Sequence, residues 1–257
     1  MTKHIFLFLV GFVSYTKTAT AQIEKIDTDR PDQTESPFTV PKKFIQTEIG
    51  FVAEKADVYF SNFSIPTMLT KYGLTKKTEL RLITELSGSN SKLYTLNEVK
   101  ITTPLQIGFK TALWEEKGLL PKTSLIFHTS LQSIKQTGIK NKEEIACNYR
   151  FTLQHSITKN MSLGYNIGMQ WESMQEPPAY VYTITTGINI GEAWYAYTEA
   201  FGSIFKNEAP ENNIDAGLAY LINDNFKIDI SGGIGISEAA ARHYFAIGAS
   251  FRFKTGK

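Results

Sequence analysis

The 257-residue chain is poor in several things, and each absence narrows its class. It holds a single cysteine, Cys147, which excludes an internal disulfide and any multi-cysteine metal site. It has no charge of one sign: 27 basic residues face 25 acidic ones, for a formal charge of +2. Surfaces that take nucleic acid as their main partner are usually strongly basic, so nucleic acid is excluded as a partner. Long apolar runs are missing after Val13, whereas a membrane-spanning helix needs roughly 20 apolar residues. A mean hydropathy of −0.18 excludes a helical membrane protein. It does not exclude a β-barrel, whose strands put only alternate residues into lipid.

What is present begins with an address. Lys3 and His4 precede an unbroken apolar run from Ile5 to Val13, and a polar stretch leads to Ala19-Thr20-Ala21. This is the pattern of a secretory signal peptide over residues 1–21, with cleavage after Ala21. The run is too short for a membrane anchor, and no cysteine near the cleavage site supports a lipoprotein. Losing Lys3 and Lys17 would leave an exported chain with 25 basic and 25 acidic residues.

Period-2 alternation dominates the remainder. Phe226, Ile228, Ile230, Ile234 and Ile236 share one parity, against Lys227, Asp229, Ser231, Gly233 and Gly235. Phe245, Ile247, Ala249, Phe251 and Phe253 repeat the pattern, as do Leu163, Tyr165, Ile167, Met169 and Trp171. Successive side chains of a strand point to opposite faces, so each segment has one apolar and one polar face. The same parity sets Cys147 with Tyr149 and Phe151, as a buried small hydrophobe.

Alternation also fits a soluble sandwich, and the connections discriminate between the two. About twelve segments recur, near 43–53, 63–73, 78–88, 103–114, 122–133, 144–157, 161–172, 179–190, 194–205, 212–222, 226–236 and 243–253. Their lengths suit the roughly 9–11 residues that a tilted strand needs to cross a bilayer. Every second connection is tight, as at 74–77, 158–160, 191–192 and 223–225, and the intervening ones, such as 134–143 and 206–211, are longer and polar. The connection 115–121 is longer than this scheme wants. An even strand count with alternating short turns and longer loops is the outer-membrane barrel pattern. Three tight turns resemble one another, at Leu74–Leu80, Ile157–Leu163 and Ile222–Ile228, a repeat of hairpin units. Trp171, Tyr180, Trp194, Tyr220, Phe226, Tyr244 and Phe253 lie near segment ends, where a barrel places its interfacial girdles. Phe253 would also supply the aromatic end that barrel-assembly machinery reads, although Lys254 to Lys257 follow it.

The stretch from Ile26 to Phe51, with Asp27-Thr28-Asp29-Arg30-Pro31-Asp32-Gln33-Thr34-Glu35-Ser36-Pro37 at its centre, carries a resemblance. So does Tyr72-Gly73-Leu74-Thr75-Lys76-Lys77-Thr78-Glu79-Leu80-Arg81-Leu82. Both are similar to the exported "transporter" proteins of Bacteroidetes grouped in the family named for a MetA pathway of phenol degradation. The resemblance is at the level of motifs in residues 26–90 and architectural beyond. It implies an outer-membrane barrel that passes small compounds, hydrophobic or aromatic ones included, and it brings no catalytic residues.

Residues 22–42 read as a periplasmic leader. Its charged residues Asp27, Asp29, Arg30, Asp32 and Glu35 are candidates for a plug in the barrel mouth. Pro31, Pro37 and Pro41 disfavour regular pairing, and the acids lack the glycine turn of an EF-hand, so no metal site is expected. By parity the interior of the barrel carries Glu48, Glu79, Arg81, Glu85, Lys110, Arg150, Glu172, Glu199, Lys227, Asp229 and Arg252. Charges of both signs are present, without a single-sign ring that would select one ion type. They fit either a polar pathway or a salt-bridged filling, since a barrel of modest size can be packed by its own side chains.

His128-Thr129-Ser130 raises a barrel lipid hydrolase, since a hydroxyl beside a base is the minimum for acyl transfer. Parity sends His128 inward, away from lipid, so no catalytic residue is expected. The glycines at 232, 233 and 235 are strand glycines, because no helix follows them as a nucleotide loop requires. The expectation is an all-β chain: a single-domain transmembrane antiparallel barrel of about twelve strands over residues 43–257. It would sit in the cell outer membrane as a small-molecule channel without a cofactor. Its partners would be outer-membrane lipid, a small-molecule solute and the barrel-assembly machinery. The alternative is a closed structural or surface-interaction barrel.

Overall fold

The computed structural model describes residues 25–57, 59–91, 105–134, 142–174 and 176–256. The expected signal peptide and the centres of two expected loops, 92–104 and 135–141, lie outside the described residues. Twelve strands follow one another: β1 (Phe44–Lys55), β2 (Phe60–Gly73), β3 (Thr78–Ser91), β4 (Leu105–Trp114), β5 (Lys122–Ile134) and β6 (Lys142–Ser156), then β7 (Met161–Trp171), β8 (Ala179–Ile190), β9 (Trp194–Ile204), β10 (Glu211–Asn223), β11 (Phe226–Gly235) and β12 (His243–Lys254). Each pairs antiparallel with its sequence neighbours, and β1 pairs with β12 from Phe44↔Lys254 to Lys55↔His243, so the sheet closes into a barrel. Closure removes every free edge, which is what a strand protein needs when lipid offers no hydrogen bonds. Among the described residues there is no helix.

The barrel is a protein turned inside out. Lys110 and Glu79 are fully buried and Glu48 is 1% exposed, while Ile107 and Ile167 expose more than half their surface. Leu82, Ile184, Leu218, Ile230 and Ile247 continue the exposed apolar surface round the wall. Water does not tolerate a continuous apolar belt of this kind, and a bilayer covers it.

One end of the barrel carries the tight turns. In the first, the Leu74 and Thr75 amides both donate to the Thr78 carbonyl, and Thr75 Oγ1 accepts from the Lys77 and Thr78 amides. Ile157, Thr158, Asn160 and Met161 reproduce this network bond for bond. The third turn uses an asparagine, with the Asn225 amide donating to Asn223 Oδ1. The longer connection 115–121 is itself folded, with Lys117 and Leu120 bridged and Gly118 at φ 61°. There the Ser156 hydroxyl and amide donate to Glu116 and hold its carboxyl below the usual range.

Four details correct the sequence reading. The first connection at the other end is only residues 56–59, because β1 and β2 run on past their expected ends. Tyr244 does not join an aromatic girdle, since on β12 it shares the inward parity of buried Ala246, Ser250 and Arg252. Cys147 is not a buried small hydrophobe. It is half-buried on the outer face, with its Sγ 3.3 Å from Met174 Sδ, because apolar parity in an inverted protein points outward. Glu172 lies beyond the end of β7 and is exposed, at the rim rather than inside.

Candidate functional site

The inward face of the barrel is occupied by residues 26–41. The chain enters at the tight-turn end, where the Ile26 amide donates to the Asp224 carbonyl and Lys25 Nζ to the Glu192 carbonyl. It climbs to about mid-barrel, turns back, and passes into β1 over Gly73. There the Lys43 amide donates to the Gly73 carbonyl, and a Cβ on residue 73 would lie 2.1 Å from the Pro41 oxygen.

Charges clamp this segment in place. Asp29 meets Lys110 at 2.7 Å, Lys71 at 2.9 Å and Arg81 at 3.2 Å. Arg81 also binds Glu35 at 2.6 Å and Glu79 at 3.3 Å, and Lys71 pairs with Glu48. Three strand glutamates take the leader's own backbone. Glu48 accepts from the Asp29 and Arg30 amides, both at 3.0 Å, and Glu79 from the Val40 amide at 2.6 Å. Glu199 accepts from the Gln33 and Thr34 amides, both at 2.7 Å, and from the Thr34 hydroxyl. Prolines at 31, 37 and 41 keep the segment out of the sheet, which leaves its amides to be satisfied by side chains. Buried charges are tolerated only when paired, and removing one partner of such a pair costs about 3–5 kcal/mol.

On the opposite wall Arg30 reaches Asp229 at 2.9 Å. Its path crosses Gly50 and Gly248, which face each other in the β1–β12 pair, and Gly248 in turn faces Asp229. A Cβ on either glycine would lie 2.1–2.3 Å from the Arg30 guanidinium, so the two glycines form the track on which it lies. Other contacts complete the seat. The Glu35 amide donates to Asn166 Oδ1 at 2.8 Å, Lys110 Nζ to the Ser36 carbonyl at 2.8 Å, and Ser124 to the Pro37 carbonyl at 2.5 Å. Asp32 accepts from the Tyr195 hydroxyl at 3.0 Å, and Asp27 from the Ser36 hydroxyl at 2.5 Å.

The remaining expected interior residues are spread along the wall. Lys227 donates to Thr28 Oγ1 at 2.8 Å, and Arg252 donates to Asn225 Oδ1 at 2.9 Å beside the Phe44 ring. Glu85 accepts from the Ser64 hydroxyl at 2.6 Å, nearer the long-loop end. Arg150 projects into the space beyond the leader and has no carboxylate within ion-pair distance among the described residues. His128 and Ser130 are buried and face the same space, on the side away from lipid. His128 Nδ1 lies 3.2 Å from Asn148 Oδ1, and no hydrogen bond joins His128 to Ser130 among the described residues.

The sequence reading missed several interior residues. Lys71 is the most consequential, since it neutralises Asp29 and Glu48 together. The register of β2 against β3 shifts between Ser64 and Thr67, so no single parity runs through the strand. Asp215, which accepts from Tyr197 at 3.0 Å and from Tyr244, carried the readable signal of an acid on the parity of Asn213 and Glu211. Gln46 and Asn166 also bond the leader and were visible only as polar residues among many.

Cavities lie on both sides of the leader, and two of them face opposite ends of the barrel. One of about 590 Å³ opens toward the long-loop end and reaches Glu172 at the rim. The other, of about 500 Å³, opens between the tight turns beside Asn160 and Glu192. Both are lined by Asp32 and Glu35, which form the partition between them.

A closed antiparallel barrel with charges inside and apolar side chains outside is a membrane-spanning β-barrel, here with its own N-terminal segment in the lumen. The chain belongs to the family described as "Putative MetA-pathway of phenol degradation", whose model matches residues 28–253. Its fold is similar to the crystal structure of an outer membrane channel from Pseudomonas putida F1, with a TM-score of 0.61 and 9% identity over 89% of this chain and 100% of that one. It is also similar to the NanC porin (TM-score 0.53, 10% identity, 80% of this chain and 98% of that one). The KdgM porin gives a TM-score of 0.50 at 11% identity, over 80% of this chain and 99% of that one. No curated protein matches the chain.

Proposed function

We propose that the chain is an outer-membrane channel for small molecules, closed at rest by its own leader, residues 22–42. The observation that carries this reading is the pair of cavities, about 590 and 500 Å³, which face opposite ends of the barrel and meet only at Asp32 and Glu35. A barrel evolved simply to be filled has no need of a cavity on each side of the filling. Among the described residues the leader pairs with no strand, and it is held in the lumen by ion pairs and amide-to-carboxylate hydrogen bonds. Such contacts are exchanged for water or for a solute more readily than a β-ladder is. In this reading the tight turns face the periplasm, residues 1–21 are the cleaved export signal, and the barrel runs from residue 43. We take the solutes to include hydrophobic and aromatic compounds, a reading supported by the family's description.

A second reading is a closed structural barrel, favoured by the dense pairing of Asp29 with Lys71, Arg81 and Lys110. Solute flux into liposomes separates the two. The folded mature chain should pass small phenols and sugars slowly, and the same chain without residues 22–42 should pass them much faster. Absence of flux from both forms, each shown to be folded, would leave the closed barrel.

A further inference from the structure

The wall of the larger cavity made by β4 to β7 is unlike the rest of the lumen, because its polar groups are not engaged by the leader. Arg150 is the clearest instance, as an inward cation without a carboxylate partner among the described residues. His128 is the second. It is 3% exposed, and its Nε2 is buried without a hydrogen-bond partner. A buried polar atom left unpaired is costly, so each such atom calls for an explanation. His128 Nδ1 faces the amide oxygen of Asn148, an acceptor, so Nδ1 carries the proton, and Nε2 keeps an unpaired lone pair just beneath the wall of the cavity that His128 lines.

The register fixes how these groups are placed. His128 faces Asn148 across the β5–β6 pair, and Arg150 follows Asn148 on the same inward face, opposite Gly168. Diagonal neighbours of this kind have backbones roughly 7–8 Å apart. Both side chains lie over glycines. A Cβ on residue 108 would come within 2.5 Å of the His128 ring, and one on residue 168 within 3.0 Å of Arg150 Cγ. The glycines let imidazole and guanidinium lie along the wall, which keeps the space in front of them open. Leu69 and Ile83 supply apolar lining to the same cavity, whose volume of about 590 Å³ falls within the usual range for small-molecule sites.

We propose that this cavity binds a small hydroxylated monocarboxylate, with its carboxylate on Arg150 and its hydroxyl donating to His128 Nε2. This assignment rests on the channel reading and names the solute class for it. An arginine presents paired donors that match a carboxylate. A simple anion leaves the His128 lone pair unsatisfied, and a neutral alcohol or phenol leaves Arg150 unpaired. A molecule bearing both groups on a compact body satisfies both and rests that body against Leu69 and Ile83.

The test is calorimetric titration of the folded mature chain in detergent with 4-hydroxybenzoate and with glucuronate, an aromatic and a sugar source of the same chemistry. Benzoate and phenol are the comparison probes. At least one hydroxy acid should bind. If it is 4-hydroxybenzoate, benzoate and phenol should each bind at least tenfold more weakly. If it is glucuronate, glucose, which lacks the carboxylate, should be the weaker probe. Arg150→Met should weaken the hydroxy acid by tenfold or more, and Arg150→Lys by less. His128→Leu should erase the preference for the hydroxyl, so that 4-hydroxybenzoate and benzoate bind alike. A binding hydroxy acid matched by its own comparison probe (4-hydroxybenzoate by benzoate, glucuronate by glucose), undiminished binding to Arg150→Met, or no binding of either hydroxy acid would overturn the proposal. The probe comparisons on the unaltered chain decide the matter if a variant does not fold. Flux through the chain lacking residues 22–42 is read in parallel. Flux without binding overturns the site alone, and binding without flux overturns the channel reading alone.

Discussion

The two halves of the lumen are built from the same alternating strands, yet they treat charge in opposite ways. In the half nearer the tight turns, Glu48, Lys71, Glu79, Arg81 and Lys110 are buried, paired with one another and with the leader. In the half nearer the long loops, Glu85 accepts from the Ser64 hydroxyl alone among the described residues, and Arg150 faces open space. The difference comes from residues 26–41 and not from the wall. Their proline-broken backbone supplies unpaired amides, and the strand carboxylates take them up. A lumen charge here is therefore structural where the leader reaches it and available to a solute where the leader does not.

Substitutions in the two halves should separate accordingly. Lys110→Met strands Asp29 with one cation fewer in a buried site, which should cost about 3–5 kcal/mol. Thermal unfolding followed by gel mobility would show it as a clear fall in midpoint, and an unchanged midpoint would mean the cluster is solvated. Glu199→Gln keeps the shape but replaces one of the two oxygens that accept the Gln33 and Thr34 amides with a donor NH2 group. A loss of about 1–3 kcal/mol is expected, because one buried leader amide is left without an acceptor. Gly248→Ala places a methyl 2.3 Å from Arg30 Nε, so Arg30 must leave its track to Asp229. Overpacking of this kind typically costs about 1–3 kcal/mol. Here it should also make the leader easier to cleave with an added protease, and a protease pattern identical to the unaltered chain would count against the track. Glu85→Gln, in the open half, should change stability by less than about 0.5 kcal/mol. A large effect there would erase the contrast between the halves.

Much of this was legible in the chain itself. Alternation located all twelve strands, with Thr78, Lys122, Met161, Ala179, Trp194, Phe226 and His243 as readable strand starts. Three similar turn sequences were readable too, and two fold with the same hydrogen bonds. The same parity put Glu48, Glu79, Lys110 and Glu199 on one face, because each has an apolar residue beside it on the opposite parity, Ile49, Leu80, Phe109 and Ala200. Lys71 escaped because a register shift interrupts β2. Tyr195, Tyr197 and Tyr244 escaped for another reason: tyrosine is amphipathic and suits a girdle as well as a polar lumen. The pairing of Asp29 with three cations from β2, β3 and β4 was not legible at all. It depends on where a proline-broken segment crosses a closed barrel, and no local pattern records that.

The claim that the leader closes an otherwise conducting lumen is tested most directly by current across a planar bilayer. Thr34 Oγ1 lies 2.6 Å from Thr183 Oγ1, so Thr34→Cys with Thr183→Cys, in a Cys147→Ser background, should form a disulfide that fixes the leader to β8. The oxidised chain should carry no current, and the barrel lacking residues 22–42 should conduct in discrete steps. Current through the locked chain, or silence from the folded leader-free barrel, would contradict the account.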